Sequence, residues 1–444
     1  MKISVVKLSQ WLLTTFMISV LWGCQSPALM SSDILNNQAI LDIKKPFRAA
    51  ASTAVCLQTS CNDDRVTAAE ILAVSGDGMT LIYTDSPRDS IGFLDIRNPS
   101  APIGLGRIAL DGEPTSIATK ANWALVAITT TTDLSQPAGE LVVINIATQE
   151  VAARIQLPGQ PDSIAVSPDK NYAAIAIENE RSYKINNGAL PQLPEGLLVV
   201  ADLSNENPNA WQTNTVNLTG LAEVFPEDPE PEYVDINADN LVVLTLQENN
   251  HIVIIDLQTA SVSSHFSAGA RTNQVPGAAS GSRFDLQVRA KREPDGVSWL
   301  ANEYIVTADE GDYRGGTDTI TIFDKNGAVV WGSGNTVTRL MRLMNREEQT
   351  LRAGAQPENV EVATFANGDT YLFANIERGD AVLVYNANDP TSPKLIQVLD
   401  TPKGPEGGLA IPSRGLFIVA SEDDKPSQKI RSHIHIFELS NDQQ

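Results

Sequence analysis

The stretch Pro231-Glu232-Tyr233-Val234-Asp235-Ile236, continued by Leu241-Val242-Val243-Leu244-Thr245-Leu246, Gln247-Glu248-Asn249-Asn250 and His251-Ile252-Val253-Ile254-Ile255-Asp256-Leu257, carries the plan of the chain. Three runs of six or seven residues, rich in Val, Ile and Leu, are separated by turns rich in Asn and Asp. Runs this short and this β-branched read as strands, and the turns between them as hairpin connections. The order is therefore an acid after proline, a strand, a turn, a second strand ending in polar acidic residues, and a third strand ending Asp-Leu.

The same order recurs from about residue 66 onward. Copies start near Glu70, Glu113-Pro114, Pro161-Asp162, Pro231-Glu232, Pro294-Asp295, Pro357-Glu358 and Pro405-Glu406, at spacings of 43 to 70 residues. Such spacings suit four-stranded blades of about 40–50 residues with loop insertions. The chain is therefore predicted to be all-β, a seven-bladed β-propeller. Its last strand, Ile434–Leu439, is expected to be closed by a strand from the N-terminal side. Two stacked β-sandwiches are the alternative, but the repeat does not pause mid-chain. Outside the N-terminal leader, one candidate amphipathic helix appears, at Val337–Leu351 with Met341, Leu343 and Met344 on one stripe.

Charge narrows the partners. Among 444 residues, 54 are acidic and 32 basic, for a net charge of −22. Phosphate backbones would repel such a surface, so nucleic acid is not an expected partner, whereas cations are. Length and composition also exclude a disulfide miniprotein, a coiled coil and a multi-span membrane protein.

Residues 1–23 contain Lys2 and Lys7 but no acid, and the apolar run Trp11–Trp22 is short for a membrane span but right for a secretory leader. The run ends Leu21-Trp22-Gly23-Cys24, which resembles the lipobox of bacterial lipoproteins, with Trp22 bulkier than that motif usually has. The resemblance implies a signal peptide over 1–23, a lipidated Cys24 and a membrane anchor. Gln25 in place of Asp implies the outer membrane, on a side that is left open. An ordinary secreted protein with an incidental cysteine is the alternative. Residues 24–60 read as a tether and N-terminal extension with one possible strand, and 61–440 as the propeller. In an oxidising compartment Cys56 and Cys61 are expected to close a small loop as a disulfide.

A family resemblance then becomes specific. Pro231-Glu232-Tyr233 leading into Thr245-Leu246-Gln247-Glu248-Asn249-Asn250, Pro294-Asp295-Gly296-Val297 leading into Val306-Thr307-Ala308-Asp309-Glu310-Gly311-Asp312, and Gly404-Pro405-Glu406-Gly407 resemble the choice-of-anchor I propeller proteins. The likeness runs over about 66–440. It implies an extracytoplasmic bacterial propeller similar to YVTN-type and phytase-like repeats, in a family sometimes fused to phosphoesterase domains, without implying a particular reaction. Members often carry an Asp-rich stretch where this chain has Gly281-Ser282-Arg283-Phe284-Asp285-Leu286-Gln287.

Antiparallel order places the start of the first strand and the end of the second on one face of the ring. Both positions are acidic. The first set is Glu70, Glu113, Asp162, Glu232, Asp295, Glu358 and Glu406; the second includes Asp85, Glu178, Glu180, Glu248, Asp309, Glu310, Asp312, Glu377, Glu422 and Asp423. So many carboxylates in one funnel call for a counter-charge, and oxygen-only ligands favour a hard cation such as calcium. Glu113, Asp162, Glu232, Asp295, Asp309, Asp312, Glu358 and Glu406 are the candidate metal ligands. Arg181, Arg314 and Arg378, beside the second set, are candidates to hold a small anionic ligand. Pro-Asp and Pro-Glu turns that merely cap strands, and arginines that merely pair blades, are the structural alternatives.

Other chemistries find no support. The four histidines form no zinc motif, and His433 with His435 alternate on one strand. There is no Gly-x-Ser-x-Gly elbow, Walker A loop or Gly-x-Gly-x-x-Gly. Trp123, Trp211, Trp299 and Trp331 are expected in packing. Two functions remain: a lipid-anchored binding scaffold with an acidic, calcium-competent funnel that captures a protein or small ligand, and, second, a calcium-dependent phosphoesterase.

Overall fold

The computed structural model describes residues 45–62, 64–275, 286–311, 313–346 and 354–440. Seven four-stranded antiparallel sheets follow one another along the chain, at 72–109, 113–157, 161–217, 231–267, 297–332, 357–400 and 405–439 (blades 1 to 7). The seventh supplies only three strands of its own, and its fourth is Phe47–Ala54. First strands of successive blades touch one another around the ring, Leu72–Val74 of blade 1 also touching Pro405–Ile411 of blade 7. The molecule is the seven-bladed β-propeller that the repeat predicts.

The strands are short and apolar because each blade is buried on both faces. Seven apolar clusters fill the seven junctions. Ile82, Ile91 and Phe93 of blade 1 meet Ile117, Val126 and Val142 of blade 2, and Leu125 and Leu141 on the other face of blade 2 meet Ile164, Ile175 and Val199 of blade 3. Period-2 alternation sends successive residues of one strand to different junctions, so every blade is glued on both sides. Each fully buried Val, Leu or Ile contributes roughly 1.5–3 kcal/mol of transfer free energy. The tryptophans serve this packing: Trp211 and Trp299 are buried, Trp123 packs against the cluster between blades 2 and 3, and Trp331 meets Tyr385 edge-on at 5.5 Å. Blade 1 has a tight spot where Gly92 faces Tyr83, since a β-carbon on Gly92 would lie 2.1 Å from the ring.

Two insertions depart from the blade pattern. A two-stranded hairpin, Ala270–Val275 with Leu286–Lys291, follows blade 4. The helix spans Thr336–Leu343, shorter than its apolar stripe implies, with Val337, Leu340 and Met341 wedged into the core of blades 5 and 6. Among the described residues no helix is long and apolar enough to cross a membrane. Cys24 lies outside the described residues.

Ring closure rests on the N-terminal strand. Phe47–Ala54 pairs antiparallel with His433–Leu439, from Phe47 opposite Leu439 to Ala54 opposite His433. Phe47 is buried, edge-on to Phe365, Tyr371 and Phe373 at 5.1–5.3 Å, and its backbone exchanges two hydrogen bonds with the side chain of Gln397 in blade 6. Just beyond the strand, Cys56 and Cys61 form a disulfide, and the Arg431 guanidinium donates to the Cys61 carbonyl at 3.0 Å. One aromatic side chain thus holds the first segment of the ring to the sixth blade. Replacing Phe47 by Ala is expected to cost about 3–5 kcal/mol, the range for a buried Phe. A urea titration checks this, and a loss under about 1 kcal/mol would mean that the ring closes without that anchor.

Candidate functional site

In blades 3, 4, 6 and 7 the proline that opens the first strand pairs with the end of the second: Pro161 with Ile177, Pro231 with Leu246, Pro357 with Ile376, Pro405 with Ser421. Directly after each proline the register shifts. Proline has no N–H to give the ladder, so it sits where the ladder is irregular. The irregularity re-aims the following side chain, and the acid after proline turns toward the axis.

All seven acids of the first set meet there. Glu70, Glu113, Asp162, Glu232, Asp295, Glu358 and Glu406 line a cavity of about 270 Å³ at one mouth of the channel, together with Ser86 and Glu422. A second cavity, of about 340 Å³, shares Glu232, Asp295, Glu358 and Glu406 with the first and adds Glu178, Glu180, Glu248 and Glu310. Two triads stand out: Asp162, Glu178 and Glu232, and Asp295, Glu310 and Glu358, each with its carboxylate oxygens within 4.8 Å of one another. Both use the same three positions. Each takes the opening acid of one blade, the residue just after that blade's second strand, and the opening acid of the next blade, so each straddles a junction. Oxygens this close can be bridged by a cation that binds at 2.3–2.6 Å.

The second set divides by register. The last residue of the second strand points into the blade and the next toward the channel, because side chains alternate. Asp309 is therefore buried inside blade 5, accepting hydrogen bonds from Thr307, Thr319 and Thr321 at 2.5–2.7 Å with Arg292 at 3.5 Å. Asp85 is likewise internal, held by the Ala68 N–H and Arg107. The structure does not bring these two to the channel. Asp312 lies outside the described residues. After the second strands come Ser86, Thr130, Glu178, Gln247, Glu310, Glu377 and Glu422, so three junctions lack the acid. Ser86 donates to Glu70, and the Gln247 amide donates to Glu310 at 2.7 Å.

Burial, with crowding second, sets the protonation. Burial, reinforced by Glu422, Glu113 and Asp85, pushes Glu70 up to about 8 against the hydrogen bond from Ser86. Burial pushes Asp162 and Glu422 up to about 7. Burial and then neighbouring carboxylates raise Glu178, Glu232, Asp295, Glu358 and Glu406 well above the usual range. Asp162 hydrogen-bonds with Glu232, and Asp295 with Glu358, which requires a proton within each pair.

The sequence model of the choice-of-anchor I domain matches residues 70–322, from the first channel acid to the third strand of blade 5. The chain belongs to the choice-of-anchor I domain family. No curated protein matches this choice-of-anchor I chain in sequence. Solved structures similar to it include the Kuenenia stuttgartiensis hydrazine synthase, at 14% identity and TM-score 0.54 over 85% of this chain and 97% of that one. The RRP9 WD40 repeats reach 0.57 at 9% identity over 90% and 98%, and virginiamycin B lyase from Staphylococcus aureus 0.52 at 11% over 89% and 100%. At such identities the likeness to the choice-of-anchor I chain shows the fold alone.

The three arginines do not converge. Arg181 pairs with Glu248 at 2.8 Å and lies over the Tyr313 ring at 5.0 Å, while Arg314 lies 4.7 Å from the same ring. Arg378 is 3.8 Å from Glu377 in a separate rim groove with Lys403 and Lys425. Other participants escape the repeat. Tyr233 lines both the acidic cavity and a cavity of about 240 Å³ in the rest of the channel, where Glu361 is pushed up to about 8 by burial. Its hydroxyl hydrogen-bonds with Asn359, so blades 4 and 6 touch here. Tyr233 and Asn359 each follow a channel acid, which was the available signal.

In chelator, the folded choice-of-anchor I chain holds protons that the unfolded chain has lost once pH exceeds the ordinary carboxyl range. Stability from these raised groups is complete below about pH 4 and is lost as pH climbs through their folded values. Between pH 5 and 8, thermal unfolding of the ion-free protein should therefore shift to lower temperature, through Glu70, Asp162, Glu361 and Glu422. A flat or rising melting temperature over that window would contradict the shared-proton account.

Proposed function

We propose that this is a lipid-anchored, extracytoplasmic binding propeller, tethered to the outer membrane through Cys24, whose acidic mouth takes up hard divalent cations, calcium foremost. The observation that carries the reading is the pair of equivalent carboxylate triads at the junctions of blades 3 with 4 and 5 with 6. Their donors are oxygen only, which suits calcium or magnesium over zinc or copper. Calcium tolerates irregular ligand sets, whereas magnesium demands near-octahedral geometry and keeps its waters, so a crowded, partly desolvated mouth favours calcium. The bound ion would replace the shared protons and relieve the repulsion. Family membership supports the extracytoplasmic placement, and a disulfide between Cys56 and Cys61 is in keeping with it. No arrangement of the arginines favours the phosphoesterase, since Arg181 and Arg314 flank Tyr313 and Arg378 faces a different groove.

Calorimetric titration of the chelated full chain in mild detergent tests this. Two calcium ions should bind, release protons (read from the heat in buffers of different ionisation enthalpy), and raise the melting temperature; calcium at 100 times Kd stabilises by about 2.7 kcal/mol per site. Replacing Glu178 or Glu310 by Gln should each remove one ion from the stoichiometry. Absence of saturable heat at millimolar calcium would reduce the carboxylates to strand caps, and turnover of a phosphate ester in calcium would replace the scaffold by the hydrolase.

A further inference from the structure

The insertion between the second and third strands of blade 3, residues 178–196, does something that a cation site does not need. It raises two large apolar side chains into solvent, Tyr183 at 79% exposed and Leu193 at 61%. Tyr183 also lines the 340 Å³ acidic cavity. The two halves of the loop are tied where Gln192 accepts from the Ser182 N–H at 2.8 Å and donates to the Ser182 carbonyl at 3.2 Å. Tyr183 and Leu193 are the next residues on each half, so both are carried by one braced platform.

The same loop shows how a guanidinium is held beside this mouth. Arg181 sends its guanidinium to Glu248 at 2.8 Å and over Tyr313 at 5.0 Å, with Phe225 edge-on to Tyr313 at 5.7 Å. A guanidinium held between a carboxylate and an aromatic face is the geometry by which proteins recognise arginine from outside. Glu178, Glu180, Glu232, Asp295 and Glu310 line the cavity beside it. A metal ion gains nothing from an exposed Tyr and Leu on this loop, whereas a basic peptide carries both a cationic tip and apolar flanks.

We propose that this mouth docks a basic peptide segment of a partner protein, an arginine side chain entering the 340 Å³ cavity while apolar neighbours pack on Tyr183 and Leu193. The proposal rests on the reading of the mouth as a cation receptor, though not on calcium. Complementary charge attracts and orients the segment, and the Tyr183–Leu193 platform selects among basic sequences.

The test uses the full chain in mild detergent and three fluorescein-labelled hexapeptides: alternating leucine and arginine, hexa-arginine, and alternating leucine and glutamate. Fluorescence anisotropy should show the leucine–arginine peptide binding at least about tenfold tighter than hexa-arginine, and the glutamate peptide not at all. Replacing Tyr183 and Leu193 together by Ser should bring the leucine–arginine peptide to the hexa-arginine level and leave hexa-arginine unchanged. Both side chains are exposed, so the fold does not depend on them. Equal binding of the two cationic peptides, or an unaltered double variant, would overturn the proposal, leaving unspecific attraction to an acidic surface. Calcium titration of the parent chain separates the readings: absence of calcium heat there defeats the ion sites and not the docking, while an intact calcium response with no peptide binding defeats only the docking.

Discussion

The seventh blade of the ring is completed by the first strand of the chain, and the pairing of Phe47–Ala54 with His433–Leu439 is the constraint on which the rest depends. Once the ring is closed, neighbouring blades have no choice but to bury their faces against each other, and seven apolar junctions form. Closure also brings seven strand starts to one mouth. The proline that begins a strand and the acid that follows it are local choices, but convergence of the acids follows from the ring.

That convergence costs free energy, and the chain offsets it in several ways around the mouth. Protons are shared between Asp162 and Glu232 and between Asp295 and Glu358. Ser86 and Gln247 stand where other blades have Glu, and donate to acids beside them. Arg181 supplies a fixed positive charge to Glu248. Each device neutralises a carboxylate locally, and the shared protons sit within the two triads themselves, on the oxygens that a cation would bridge. Glu230, buried just before Pro231 and pushed up to about 11 by burial and by Glu248 and Glu178, shows how strongly this region disfavours further negative charge.

Much of the fold was legible because it is periodic. Pro-Glu starts, six-residue apolar runs and Asn or Asp turns recur, and such signals survive in a single sequence. The helix was less legible: its stripe extends to Met344 and beyond, but burial of Val337, Leu340 and Met341 is what defines Thr336–Leu343. For the site, the first acidic set was readable from its fixed place after proline. The second was readable only to within one residue, and at a strand end one residue reverses the face, which separates buried Asp309 from channel-lining Glu310. Sequence adjacency put three arginines beside the second acidic set, but side chains this long lie where packing directs them, and two of them lie over Tyr313.

By itself the sequence determined the class of the fold, the number of blades, and that one mouth would be acidic, because these follow from repeated local patterns that each blade obeys independently. Only the tertiary structure decided which carboxylates form triads, which are buried in a blade, and which loop overhangs the mouth. Those outcomes depend on distances across junctions between residues such as Glu178 and Glu232, or Glu310 and Glu358, which no local pattern encodes.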